Sequence, residues 1–195
     1  MTDYADRLTS LGYSRLFLSL DDVAVDALWR EPRAAEALAA LVADTGADRE
    51  ARFLAAEILS RKQSGYPSPS ESALLAPVYA DALRHAELAN IWGMPGELDG
   101  PAGQHLVALG PAAVVALIPL LNDARTVIYG GSEEATIGNS YEYRVKDFAA
   151  FFIHRIGGSP YSLLNTPHER DAEIERLRTS LLKTKKRDTS DKRKK

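Results

Sequence analysis

Apolar residues recur at helical spacing in two separated parts of the chain. In the first part, residues 33–43 and 49–63 each carry an apolar stripe at helical spacing, which is typical of an amphipathic helix. Before the break the stripe consists of Leu38, Leu41 and Val42, at i, i+3 and i+4, and after it the stripe consists of Phe53, Ala56 and Leu59, joined by Ile58. Because a tight break at Thr45 and Gly46 separates them, the pattern predicts a helical hairpin.

The same hairpin returns between residues 100 and 156, where the matching residues lie at fixed offsets. The first helix matches at an offset of 79 and the second at an offset of 94, so the second copy carries about 15 extra residues at its turn. The matches are Leu38 with Leu117, Leu41 with Leu120, Val42 with Leu121, Asp44 with Asp123, Ala51 with Val145, Arg52 with Lys146, Ala55 with Ala149, Ala56 with Ala150, and Leu59 with Ile153. A repeated hairpin that cannot bury its apolar faces alone predicts stacking of the copies.

Three stretches, LVALGPAAVVALIPLLND, EARFLAAEIL and RVKDFAAFFI, resemble the HEAT-like repeat family, including its bacterial short-repeat group linked to phycobilisome lyases. The resemblance implies that the small pairs Ala55-Ala56 and Ala149-Ala150 let neighbouring helices approach. It also implies that Arg52 and Lys146 each open the second helix of a hairpin. The family includes scaffolds, lyases and DNA-repair proteins, so the resemblance concerns the fold far more than the function.

The predicted fold is therefore all-α: a HEAT-like α-α superhelix, or short solenoid, of about three hairpins with one long inserted loop and a C-terminal capping helix. Thr166 and Glu169 form a capping box, with Pro167 at the first helical position, and predict the start of the capping helix. Residues 1–182 are predicted to form one domain, and residues 183–195 a basic, disordered tail.

Charge is distributed unevenly along the chain. Residues 183–195 contain eight Lys or Arg and two Asp, a net charge of +6, and residues 1–182 carry −9. An acidic body argues against a duplex-binding surface and favours a basic protein partner, so nucleic acid is expected only through the tail. The start of the chain does not resemble a signal peptide, and no apolar run reaches the length of a membrane span, so we expect a cytoplasmic protein.

The insertion at residues 124–140 is the strongest candidate for a functional segment, because turns of helical hairpins are usually short. Two β-prone pieces, 126–129 and 135–137, flank Gly130 and Gly131 and predict a small β-hairpin or an Ω-like loop. The alternative is a tolerated surface insertion. Trp92, in a Gly/Pro-rich connector, could plug the core or help to line a groove with the tyrosines. The candidate binding residues are Trp92, Tyr129, Glu133, Glu134, Tyr141, Tyr143, Arg144 and Asp147.

No catalytic residue, cofactor or metal site is predicted. The chain has no cysteine, none of its four histidines lies at metalloprotease spacing, and the nucleophile-elbow, dinucleotide and P-loop motifs are absent. Neighbouring Glu133 and Glu134 point apart in an extended chain, which argues against a shared acid–base site. We therefore predict a protein–protein interaction module: an adaptor, an inhibitor or an immunity-type protein. The alternative is a lyase- or glycosylase-like enzyme with its site at the 129–147 loop/helix junction.

Overall fold

The computed structural model of this chain describes residues 2–18, 22–131, 133–161 and 165–192, and these are arranged as an all-α fold. This confirms the predicted fold class. The α-helices are α1 (Thr2–Phe17), α2 (Val23–Trp29), α3 (Ala34–Ala43), α4 (Arg49–Lys62), α5 (Pro69–Arg84), α6 (Pro101–Ala108), α7 (Pro111–Leu117), α8 (Glu133–Ser140), α9 (Val145–Ile156) and α10 (Pro167–Lys192). Two 3-10 helices, Asn90–Trp92 and Ile118–Asn122, complete the order.

The first hairpin is formed by α3 and α4, which pack against each other. Its turn is stabilised at both ends by aspartates. Asp44 accepts a hydrogen bond from the backbone N–H of Gly46 at 2.9 Å, and Asp48 caps α4 by accepting from the N–H of Ala51 at 3.0 Å. Short acidic side chains suit these positions because their oxygens replace missing backbone acceptors. The apolar stripes of both helices are buried against each other.

The second hairpin is formed by α7 with its 3-10 extension on one side and α9 on the other. Gly110, at φ 64°, separates α6 from α7, as expected for a residue without a Cβ, and Pro111 opens α7. Asp123 follows the first helical segment of this hairpin with backbone angles close to those of Asp44. Its carboxylate accepts a hydrogen bond from the N–H of Arg125 at 3.1 Å. An aspartate therefore ends the first helical segment of both hairpins in a similar way.

The prediction of a β-hairpin or Ω-like loop in the insertion was wrong, because residues 133–140 form α8. The extended piece before it pairs with other parts of the chain. The N–H of Val127 donates to the carbonyl of Tyr143, and the side chain of Asn139 bonds both the N–H and the carbonyl of Tyr129, at 2.7 and 2.9 Å. A side-chain amide thus takes the place of the second β-strand that the composition had suggested.

The C-terminal helix begins as predicted. Thr166 and Glu169 make the reciprocal capping bonds, at 3.3 Å to the N–H of Glu169 and 3.0 Å from the N–H of Thr166. The helical backbone of α10 continues through residues 183–192, which the sequence analysis assigned to a disordered tail. Lys and Arg are good helix formers, so this stretch can extend a helix that the cap has already nucleated.

A line of aromatic rings runs through the centre of the molecule and joins the two hairpins. Tyr13 stacks on Phe53 at 5.9 Å between ring centres, Phe53 stacks on Trp92 at 5.8 Å, and Trp92 approaches Phe152 at 6.4 Å. Within the described residues, no single helix is long and apolar enough to cross a membrane. Only α6 and Pro111–Asn122 taken together would be, and they are bent by 112°.

Candidate functional site

Four of the predicted site residues come together where α9 begins, at a buried ion network. Asp147 is fully buried and accepts hydrogen bonds from the N–H of Arg144 at 2.8 Å and from its guanidinium at 2.9 Å. The guanidinium of Arg170, on α10, lies 3.2 Å from the same carboxylate and over the ring of Tyr143. Tyr141 stacks on Tyr143 at 5.3 Å.

This network joins residues 141–144 and α9 to α10, and its central side chains, Arg144, Asp147 and Arg170, are at most 12% exposed. Asp171 on α10 lies 2.9 Å from Arg144 and 2.7 Å from Lys146. Burial alone would raise the pKa of Asp171, but the hydrogen bonds and charges of these two cations outweigh it and hold the pKa below its usual value. The groups neutralise one another, so the geometry gives no support to an enzymatic site at the 129–147 junction. The side chains of Glu133 and Glu134 lie outside the described residues.

Trp92 and Tyr129 lie apart from the ion network. Trp92 is buried between Phe53 and Phe152, which is the plug that the sequence analysis gave as one of two alternatives. Tyr129 donates from its hydroxyl to the carbonyl of Gly93, next to Trp92, at 2.9 Å. The ring of Tyr129 also lies so close to Gly138 that a Cβ there would meet it at 2.5 Å. The insertion is therefore tied to the Trp92 connector.

A cleft of about 760 Å³ opens beside Trp92, between the first hairpin and the insertion. Its volume is that of an ordinary ligand pocket, and its floor is apolar and aromatic. Exposed aliphatic side chains mark its edge, notably Leu18 at 61% and Leu88 at 47% exposure. The lining residues at the floor and edge are Tyr13, Leu18, Phe53, Leu88, Ile91, Trp92, Gly130 and Gly131.

The rim of this cleft has an excess of acid. Glu50 and Glu87 line it together with one cation, Arg49, and with His85. Partial burial raises the pKa of Glu50, and the neighbouring charges of Asp48 and Glu87 raise it further. Carboxylates that repel one another at the edge of an apolar cleft create an electrostatic preference for a cation there.

A second polar cluster lies behind the cleft, around Glu57 in the middle of α4. The carboxylate is only 2% exposed, although it belongs to an apolar face. Its Oε1 accepts from the hydroxyl of Tyr79 at 2.5 Å and lies 2.8 Å from Nδ1 of His105, and its Oε2 accepts from the hydroxyl of Tyr13 at 3.3 Å. Ser60 lies 3.5 Å from the Tyr79 hydroxyl. Three helices thus supply donors to one buried acid, as burial of a charge requires.

The titration of this cluster follows from its burial. Desolvation lowers the pKa of His105, but the hydrogen bond and the charge of Glu57 outweigh it, and the net shift is upward. The pKa of Tyr79 and that of Tyr13 are both raised, first by burial and then by the charge of Glu57. Both tyrosines therefore remain donors over the whole physiological pH range.

Neither the cleft rim nor the Glu57 cluster was among the sites predicted from the amino-acid sequence. A signal for Glu57 was present, since it is the one acid within the apolar run FLAAEIL. His105 likewise lies on α6 next to the apolar Leu106, and the apolar Leu109 follows at the end of that helix. No comparable signal marks Glu50, Glu87 or Leu88, because solvated helix ends carry the same residues in any protein.

Among the side chains that the structure describes, no three histidine or acidic groups meet as a metal site. Comparisons of the chain with protein-family models, with curated proteins and with solved structures found no match.

Proposed function

We propose that this protein is an interaction module whose cleft beside Trp92 captures a segment of a partner protein that combines apolar and basic side chains. One observation carries the proposal: an apolar floor and the exposed Leu18 and Leu88 occur together with the acidic pair Glu50 and Glu87. Exposed apolar patches with a polar rim are typical of interaction surfaces. The acidic charge of residues 1–182 would steer a basic partner toward this surface.

We further propose that the two hairpins are copies of one repeat and that the chain is a short HEAT-like solenoid. In support, both hairpins bury equivalent residues, and in both an aspartate after the first helical segment accepts a hydrogen bond from the backbone N–H two residues on. In that repeat, the insertion in the second copy contributes to the binding surface, because its Gly130 and Gly131 line the cleft. In this proposal the insertion shapes the binding surface, and α4 and the Trp92 connector provide most of the contacts.

The cleft favours a segment over a flat protein face, because it is concave and its volume of about 760 Å³ can hold several side chains. The ring of Trp92 lines the floor of the cleft and stacks on Phe53, which also lines it. Aromatic floors of this kind are frequent sites of strong interface contacts.

Fluorescence anisotropy with the full chain tests the proposal. The probe is a labelled short peptide in which Leu and Lys alternate, and the matched peptides replace every Lys by Glu or every Leu by Ser. We expect only the Leu/Lys peptide to bind, with an affinity that falls as salt rises. The variant Leu88→Ser should raise its Kd about tenfold, which corresponds to a loss of about 1.4 kcal/mol. The double variant Glu50→Gln, Glu87→Gln should raise it several-fold at low salt.

The control is the double variant Glu36→Gln, Glu175→Gln, which removes the same charge from exposed positions on α3 and α10. If this control weakens binding as much as the rim variant, the effect belongs to net charge and not to the cleft. Equal binding of the Leu/Lys peptide to the full chain and to Leu88→Ser would contradict the proposal.

A further inference from the structure

We propose that the cavity beside His105 is a second site, in which His105 acts as a general base on a small uncharged ester and Glu57 positions its ring. The site is separate from the cleft and does not depend on the interaction proposed above. The two share only the wall formed by Tyr13, which lines both.

The cavity has a volume of about 320 Å³ and is lined by both apolar and titratable side chains. Its lining consists of Tyr13, Phe17, Glu57, Arg61, Pro101 and His105. This volume is at the lower end for ligand pockets, so the site would take a small molecule. The apolar ring of Phe17 and the ring of Pro101 favour an uncharged acyl group.

The imidazole is arranged for proton transfer. Nδ1 of His105 is held by Oε1 of Glu57 at 2.8 Å, so Nε2 is the ring nitrogen left for a ligand. The His105 side chain is 33% exposed and lines the cavity, whereas its partner carboxylate is buried. A buried carboxylate behind a histidine orients the ring, selects its tautomer and raises its basicity. Glu57 is itself held by the hydroxyls of Tyr79 and Tyr13.

A purely structural role explains the acid poorly. At the matching position of the second hairpin, 94 residues on, the repeat carries Phe151, which is buried in the core. The fold therefore accepts an apolar residue at this position. A buried ionic pair usually adds little stability compared with apolar residues of similar size. The occurrence of Glu57, His105 and two tyrosine donors together beside a cavity favours a chemical role.

The proposed step is hydrolysis of the ester by water. Nε2 of His105 removes a proton from water, and the water oxygen forms a bond to the carbonyl carbon, which places negative charge on the carbonyl oxygen. The guanidinium of Arg61, which lines the cavity and also pairs with Asp22 at 2.7 Å, would stabilise that charge. The bond to the alcohol oxygen then breaks, and the alcohol takes the proton from the imidazolium. One ester and one water give one acid and one alcohol.

The test is hydrolysis of p-nitrophenyl acetate by the full chain. We expect saturable kinetics, and a decrease in kcat/KM of about 100-fold in His105→Gln, as is usual for removal of a general base. The matched control is His168→Gln, because His168 is exposed on α10 and lines neither this cavity nor the cleft. The control should retain the rate of the unmodified chain within about twofold.

The positioning role of Glu57 has its own readout. In the unmodified chain, the rate should rise with pH through the raised pKa of His105, and in Glu57→Gln the midpoint should move to lower pH while kcat falls about tenfold. Circular dichroism establishes that each variant is folded, and either variant alone suffices if the other does not fold. A His105→Gln chain that hydrolyses the ester at the unmodified rate, or a Glu57→Gln chain with an unmoved pH midpoint, would overturn the proposal.

Discussion

The two hairpins place a buried acid and an aromatic ring at the same two positions, one turn apart, but in opposite order. In the first hairpin, α4 carries Phe53 and then Glu57. At the matching positions of the second hairpin, α9 carries Asp147 and then Phe151. All four side chains are buried. The buried acid therefore lies one turn earlier in α9 than in α4. Its position along the helix determines which side chains bind it.

The buried acids of α4 and α9 have different partners and different surroundings. Glu57 is held mostly by neutral tyrosine donors and one histidine and lies beside a cavity. Asp147 is held by two guanidinium groups, those of Arg144 and Arg170, and lies in a closed network. The second half thus uses its acid to attach α10, whereas the first half keeps open space around its acid and its aromatic ring. The cleft and the cavity beside His105 are both lined by residues of α1 and α4.

The largest expected effect comes from removing the acid of the second hairpin. Asp147→Ala would leave the buried guanidinium groups of Arg144 and Arg170 without their shared partner and should lower the free energy of unfolding by about 3–5 kcal/mol. Urea unfolding followed by circular dichroism measures it. The control, Asp171→Ala, removes a carboxylate that is about half exposed and should cost about 1 kcal/mol or less. An equal loss of unfolding free energy in the two variants would contradict the burial of the network around Asp147.

Removing the acid of the first hairpin should have a smaller effect, and one that depends on pH. Glu57→Gln weakens the acceptor for Tyr79 and Tyr13 and should cost about 1–3 kcal/mol. His105 has a raised pKa in the folded chain, so its contribution is fully present below its unfolded pKa and is lost as pH rises through the folded one. The cost of Glu57→Gln should therefore be larger at pH 6 than at pH 9. A cost that grows with pH over this range would contradict this assignment.

The smallest expected effects on stability come from the arginines that bind a carbonyl at the end of the first helical segment of each hairpin. The guanidinium of Arg52, on α4, bonds the carbonyl of Val42 at 3.0 Å, whereas the matching carbonyl, that of Leu121, is bonded by Arg178 from α10. Arg52→Ala and Arg178→Ala should each cost about 1 kcal/mol. Amide hydrogen exchange should show faster opening of α3 and α4 in the first variant and of α10 in the second. The same exchange pattern in both variants would contradict this distinction.

The buried faces of the two hairpins could be predicted from sequence because burial follows the apolar periodicity, and residues such as Leu38 and Leu117 are buried as their spacing predicts. The helix caps at Asp48 and Thr166 were equally readable, because their chemistry is local. The insertion was misassigned because its extended piece pairs with the side chain of Asn139 and with distant backbone, and no local pattern encodes such contacts.

The sites were harder to predict than the fold. Trp92 was singled out as a departure from the repeat, and the cleft does lie beside it, but the acidic rim depends on the meeting of α4 with residues 86–91. The cluster around Glu57 joins residues that lie 22, 44 and 48 positions apart in the chain. Tertiary packing alone brings such groups together.

The most direct measurement of the central claim is a nuclear magnetic resonance titration of the isotope-labelled full chain with the Leu/Lys peptide. Chemical-shift changes should concentrate on the backbone amides of the cleft, at residues 49–54, 85–92 and 130–131, and should be absent with the Glu-substituted peptide. Changes centred instead on the outer faces of α3 or α7, or spread evenly over the acidic surface, would contradict the account.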